Sequence, residues 1–227
     1  MLKKSLLIIF LILFIDQFLK IWVKTHMCLC SNPYSPCPCS QIPVLGNWFT
    51  IDFVENEGMA FGMRFGGDFG KLILSLFRII AVGAIGYYIL KLIKENADKL
   101  LIISISFIFA GAMGNIIDSA FYGLIFNDSN DSIYHIATIF PKGGGYAPFL
   151  HGKVVDMLSF TFFKGHFPSW FPIWSNEDFK FFSPVFNIAD SSITIGVFML
   201  ILFQKRFFKK ETSLEHETTS EDSKITE

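Results

Sequence analysis

Charge is scarce in this chain. Of its 227 residues only 17% are Asp, Glu, Lys or Arg, and 19 basic against 20 acidic side chains leave a net charge of −1. Soluble domains carry about a quarter charged residues, so an ordinary soluble domain is a poor match. A nucleic-acid surface needs a basic excess, and there is none. Signatures of several chemistries are missing as well. No G-x-S-x-G, H-E-x-x-H or Walker sequence occurs, and the five His residues have no ligand spacing. What is present is apolar: 52% of residues are hydrophobic, 28 of them Phe, with a mean hydropathy of +0.47. That composition excludes a disordered chain and points to an integral membrane protein.

Four segments are long and apolar enough to cross a bilayer, which takes about 20 helical residues. They lie near 5–23, 72–90, 100–117 and 185–203. The first opens with Lys3 and Lys4 like a secretory signal. Asp16, Gln17 and Lys20 then stand where a cleavage site needs small residues, so the segment reads as a retained span. Lys and Arg set the orientation. Lys3, Lys4, Lys91, Lys94, Lys99, Lys205, Arg206, Lys209 and Lys210 fall in three short stretches that four spans place on one side. Both termini are therefore expected in the cytoplasm, with the long connections 24–71 and 118–184 outside.

The expected architecture is an all-α integral membrane protein of four transmembrane helices with an outer interfacial layer containing short β-strands. Residues 1–210 form the membrane unit. Residues 211–227, rich in Glu, Ser and Thr, read as a disordered acidic cytosolic tail. Gly46–Val54 has the aromatic and β-branched character of a strand. Residues 119–184 are rich in aromatics, Gly and Pro, which suits either a layer on the membrane interface or a small outer domain. Cys28, Cys30, Cys37 and Cys39 lie outside, where disulfides are favoured. Three pairings are possible, thiolate metal binding is the alternative, and a structural staple is the preferred reading.

Ionisable groups within spans are costly and mark candidate sites. Asp16 and Lys20, four apart, share a helix face and can pair. The third span ends with Asn115 and Asp118, and the fourth opens with Asn187 and Asp190. Each pair is three residues apart, and antiparallel packing brings both to a similar depth near the outer end. Asp156, in the outer segment, is able to fold back onto them. Clustered carboxylates suit aspartic hydrolysis: one carboxyl keeps a proton while its ionised partner activates water. A small transporter using intramembrane carboxylates for protons or cations is the alternative. Spacing alone leaves open whether Asp118 or Asp156 partners Asp190.

Five motifs narrow the choice. Asp16-Gln17 with Lys20, Asn56-Glu57-Gly58-Met59-Ala60-Phe61-Gly62, Gly114-Asn115-Ile116-Ile117-Asp118, Val154-Val155-Asp156 and Phe186-Asn187-Ile188-Ala189-Asp190 occur in that order. Over roughly residues 5–205 the chain resembles the lipoprotein signal peptidases (signal peptidase II). The resemblance implies an aspartyl endopeptidase of the bacterial inner membrane, working near the outer face. Such enzymes cut prolipoproteins just before a diacylglyceryl-modified Cys. It implies Asp156 and Asp190 as the catalytic pair, with Asn56, Asn115, Asp118 and Asn187, and also Asp16 and Lys20, supporting the site or substrate. No cofactor or metal is implied; the expected partners are lipid-modified precursors and membrane lipid. The chain departs from the pattern at Ser119, where the family usually has Arg, so the corresponding substrate contact is either lost or supplied by a cation such as Arg64. It also departs in longer stretches at Ser119–Lys153 and Met157–Pro184, and in the cysteine cluster.

Overall fold

A computed structural model of the chain describes residues 1–29, 39–46, 48–57, 67–129, 136–161, 163–166, 178–181 and 184–222. Arg64, Cys30, Cys37, residues 58–62 of the second motif and the aromatic run 167–174 lie outside the described residues.

Four apolar helices are long enough to cross a membrane: α1 (Leu2–His26), α2 (Gly67–Lys94), α3 (Lys99–Ile117) and α5 (Ile188–Asp222). Lysine closes α2, and the side chain of Asp98 accepts a hydrogen bond from Leu100 N at 2.8 Å to start α3. Arg206 holds the other oxygen of Asp98 through both Nε and Nη2 at 2.9 Å, fastening α5 to the same end of α3. Inside the spans, Ser104 and Ser106 return their hydroxyl protons to carbonyls one turn back, at 2.8 and 2.7 Å. Apolar surroundings therefore leave neither group without a partner.

Helices α3 and α5 pack closely because small residues face each other. A Cβ at Gly111 would run into the carbonyl oxygen of Ala189, and one at Gly114 would meet Asp16 Oδ2 at 2.7 Å and Ala189 Cβ at 3.1 Å. Beyond Ile117, α3 relaxes into a π-helical turn (Asp118–Tyr122) and a last short turn, α4 (Gly123–Ile125). The third span therefore runs to residue 125, further than the hydropathy expectation of 117.

Above the helices lies a four-stranded antiparallel sheet in the order β1-β2-β3-β6. Its strands are β1 (Gln41–Leu45), β2 (Phe49–Asn56), β3 (Val154–Phe160) and β6 (Val185–Phe186). Strands β4 (Phe163–His166) and β5 (Asp178–Phe181) form a separate antiparallel pair. The strand expected over Gly46–Val54 is β2, shifted a few residues onward. Strand β3 is buried on both faces, so its sequence lacks the alternation that would reveal it. Val155 and Met157 enter a core with Val23, Met27, Phe53, Tyr122 and Phe126, which seats the sheet on α1 and the end of α3. Asp156 points to the other face of β3.

Two boundaries differ from expectation. The fourth helix begins at Ile188 instead of 185, because Val185 and Phe186 pair with Ser159 and Leu158 of β3. Its backbone also continues as helix to Asp222, through the acidic segment expected to be disordered. That composition forbids a packed core, but Lys, Glu and Leu are good helix formers that can prolong a helix already begun. Cys28 and Cys39 form a disulfide, agreeing with the staple reading for that pair.

Candidate active site

The site forms where the His26 end of α1, the C-terminal end of α3 and the start of α5 meet β2 and β3, and its first determinant is local. Asn187 is the residue before α5. Its side-chain oxygen accepts from Asp190 N at 2.9 Å, while its own backbone N–H donates to Asp190 Oδ2 at 3.4 Å. This is a reciprocal capping box built from Asn and Asp. The spacing read from the sequence as two residues on one helix face is thus the device that starts the helix, and Asp190 lies in its first turn.

The same Asn187 reaches the second carboxyl group. Its amide nitrogen donates to Asp156 Oδ1 at 2.7 Å, and lies 3.1 Å from Asn115 Oδ1 and 3.3 Å from Val155 O. Asn56, at the end of β2, donates to Asp156 Oδ2 at 3.4 Å. Asn115 Nδ2 donates to Asp190 Oδ1 at 2.8 Å. Asp156 and Asp190 are therefore bridged by one asparagine, and each is held by another from a different element. Amides do this without adding charge.

Behind this layer sits Lys20, wholly buried. Its ammonium meets Asp118 Oδ2 at 2.8 Å, Asp16 Oδ2 at 2.9 Å and Asn115 Oδ1 at 3.0 Å, one acceptor for each proton. Each acceptor reaches forward. Asp16 Oδ1 takes the Ala189 N–H at 2.8 Å, Asp118 Oδ2 takes the Val155 N–H at 3.3 Å, and Asn115 holds Asp190. Lys20 thus sets α5 and β3 in register beside the two carboxyl groups. Sequence reasoning paired Asp16 with Lys20 but left Asp118 as a possible partner for Asp190; among the described residues its side chain bonds to Lys20, Gln17 and β3.

Some contributors went unassigned. Gln17 donates to Asp118 Oδ1 at 2.9 Å, to Asp16 Oδ2 at 3.1 Å and to Gly114 O at 3.2 Å, and accepts from Tyr122 Oη at 3.1 Å. Lys24, one turn beyond Lys20, is fully buried against Glu55 and Ser129 and lies over the rings of Phe53, Phe126 and Tyr146. The Asp16–Lys20–Lys24 spacing of four was the available signal. Ser119, where the family has Arg, is buried and donates to Asn115 O at 3.1 Å. Arg78 on α2 interacts electrostatically with Asp190.

Burial pushes the Asp156 carboxyl up to about 7, and the nearby charge of Asp190 pushes in the same direction. One proton on the pair near neutrality is the condition for acid–base work by two carboxyls. A carboxyl that is harder to ionise folded than unfolded costs nothing below its unfolded value near 4. It costs progressively more as pH rises towards 7. Asp156→Asn, which cannot ionise, is expected to melt at or above the wild-type temperature at pH 8, with the gap shrinking as pH falls from 7 to 4. A gap that widens on acidification would refute this.

A membrane-embedded enzyme with an aspartic site is the class that these spans and carboxyls define. The sequence model of signal peptidase (SPase) II matches residues 8–206, and the chain belongs to that family of aspartic peptidases. It is 48% identical over 200 residues to a lipoprotein signal peptidase of Porphyromonas gingivalis, covering 88% of this chain and 81% of the relative. A lipoprotein signal peptidase of Amoebophilus asiaticus is 36% identical over 214 residues, covering 94% and 82%. Among solved structures, one described as a bacterial membrane enzyme superposes with a TM-score of 0.53 at 25% identity, over 88% of this chain and 91% of that one. A second, at 22% identity and TM-score 0.51, covers 90% and 88% and shares the fold. The transporter alternative falls with the family assignment.

Proposed function

We propose that this protein removes signal peptides from diacylglyceryl-modified prolipoproteins, cutting before the lipid-modified Cys, with Asp156 and Asp190 as the catalytic pair. The observation that carries the reading is Asn187, which hydrogen-bonds both carboxyl groups at the mouth of a membrane helix bundle. Family membership supplies the reaction class.

In the mechanism, Asp190, at the helix N-terminus, acts as base. It takes a proton from a water molecule as the oxygen attacks the scissile carbonyl carbon. Asp156, protonated, gives its proton to the carbonyl oxygen as the C=O π pair moves onto that oxygen, leaving a neutral gem-diol. On collapse the C–N bond breaks and the Cys amine leaves with the proton held by Asp190, while the gem-diol hydroxyl returns its proton to Asp156 as the carbonyl re-forms. Asn56, Asn115 and Asn187 hold the carboxyls, and Asp16, Lys20 and Asp118 hold the elements that carry them. Asp190 lies in the first turn of α5, so a precursor whose acyl chains stay in the bilayer can present its scissile bond at that depth.

The decisive comparison is the initial rate on lipidated and unlipidated forms of one precursor in the same detergent. The unlipidated form forgoes about 0.8 kcal/mol of anchoring per buried CH₂ and is expected to be cut far more slowly. Equal rates would withdraw the assignment to lipidated precursors.

The same reading places the protein in the bacterial inner membrane with both termini cytoplasmic and the site near the outer face. The cation asymmetry supports that orientation. A reporter fused after Lys210 is expected to work only in the cytoplasm, and one inserted near Gly144 only outside; the reverse at either position would overturn the topology.

A further inference from the structure

The segment 136–153 is an extra strap laid along the outer end of the third span. It runs antiparallel to residues 119–126 and is bonded to them backbone to backbone. Phe140 N donates to Ile125 O at 2.7 Å, Tyr146 N to Phe126 O at 3.0 Å, Ala147 N to Gly123 O at 3.0 Å and Gly152 N to Ser119 O at 2.8 Å. A Cβ at Gly145 would collide with the backbone of Gly123 and Leu124, so the approach depends on that glycine. Helix α2 adds a clasp from Ser75 Oγ to Leu150 O at 3.0 Å.

The outer surface of the strap is apolar. Phe149 packs edge-on against Phe121 of the span, with ring centroids 5.7 Å apart, and both remain about half exposed. Ile139 and Phe140 continue this surface outward from Leu124, and Phe140 is 77% exposed. Lys142 follows two residues later, also exposed. Phe140 moreover sits at φ +50°, a left-handed conformation unusual for a bulky residue. Among the described residues no core receives its ring. Strain of this kind persists where something else favours the conformation.

Depth identifies what that is. Counting about 20 residues of 1.5 Å rise from Lys99 brings the hydrocarbon edge to roughly residue 119. Phe121 and Phe149 lie near that edge, and Ile139 and Phe140, bonded at the level of Ile125, lie about 9 Å further along the helix axis, towards the headgroups. An aromatic side chain with a lysine nearby at this level is the pattern of a membrane-interface anchor. We propose that the strap is a membrane anchor. Its Ile139–Phe140 tip inserts among the lipids of the leaflet on the side of the active site, so that bilayer contact holds the outer ends of α2 and α3 at a fixed depth.

Photo-crosslinking tests this. Benzoylphenylalanine is placed at position 140 in the full chain, reconstituted in vesicles of phosphatidylethanolamine and phosphatidylglycerol, with position 18 on the exposed face of α1 as the reference. After illumination, mass spectrometry is expected to find a phospholipid adduct at 140 in yield comparable to that at 18. Should the position-140 protein fail to insert, position 149 gives the same readout. An adduct to a second copy of the chain in place of lipid, or no adduct at 140 while position 18 labels, would overturn the proposal.

Discussion

Asp156→Asn and Asp190→Asn are each expected to abolish cleavage of a lipid-modified precursor while leaving the protein folded in the membrane. General acid and general base each contribute roughly 10²–10⁴-fold. Losing either also strands the other half of a concerted transfer, so the two losses are expected not to multiply. The double variant is expected to be no slower than the worse single one. Folding survives because an amide in place of either carboxylate can still accept the hydrogen bonds now made by Asn187 and Asn115. Initial rates on purified variants, beside thermal melting, decide the matter. Wild-type turnover in either variant would remove that residue from the pair. Asp118→Asn supplies the contrast: with its bonds directed to Lys20, Gln17 and β3, it is expected to lose stability and keep measurable turnover.

The second large effect belongs to Lys20. Lys20→Met removes the single cation between two fully buried carboxylates. Breaking a buried pair from one side costs about 3–5 kcal/mol, since the remaining charge has no compensation. With two carboxylates stranded, the variant is expected to insert poorly or to melt far below the wild type. The defect is expected to be relieved in part by Asp16→Asn and Asp118→Asn together, which remove the stranded charges while keeping acceptors for the Ala189 and Val155 amides. Thermal melting of the single and triple variants in one detergent measures this. A triple variant no more stable than Lys20→Met would show that the ion cluster is not what holds the outer ends together.

Both effects come from residues that the sequence displays, yet their arrangement was only half legible there. The spans were readable because hydropathy over 20 residues is a strong signal. The Asn-x-x-Asp pairs were readable as shared faces, and Asp16 with Lys20 as a turn-spaced ion pair. What escaped was whatever depends on a distant partner. Strand β3 is covered on both sides, so Val154–Phe160 carries no period-two pattern. The fourth helix starts late because Val185 and Phe186 are claimed by β3, a competition no local propensity records. Lys24 looked like the first residue of an outer connection. It is a buried cation whose partner, Glu55, lies 31 residues away. The longer Ser119–Lys153 stretch was visible as length, but its docking along the end of α3 rests on backbone bonds, which leave no imprint on side-chain composition.

The capping box at Asn187 has a temporal consequence. The bonds that begin α5 also aim Asp190 and hold Asp156, and they are completed by Asp16 from the first helix and Asn115 from the third. The first three spans without the fourth do not contain a finished site. A chain emerging from the ribosome inserts its helices from the amino end. It therefore carries separated, inert carboxyls until the fourth helix docks, and proteolytic competence arrives with assembly itself. A peptidase built this way needs no propeptide to keep it silent while it is being made.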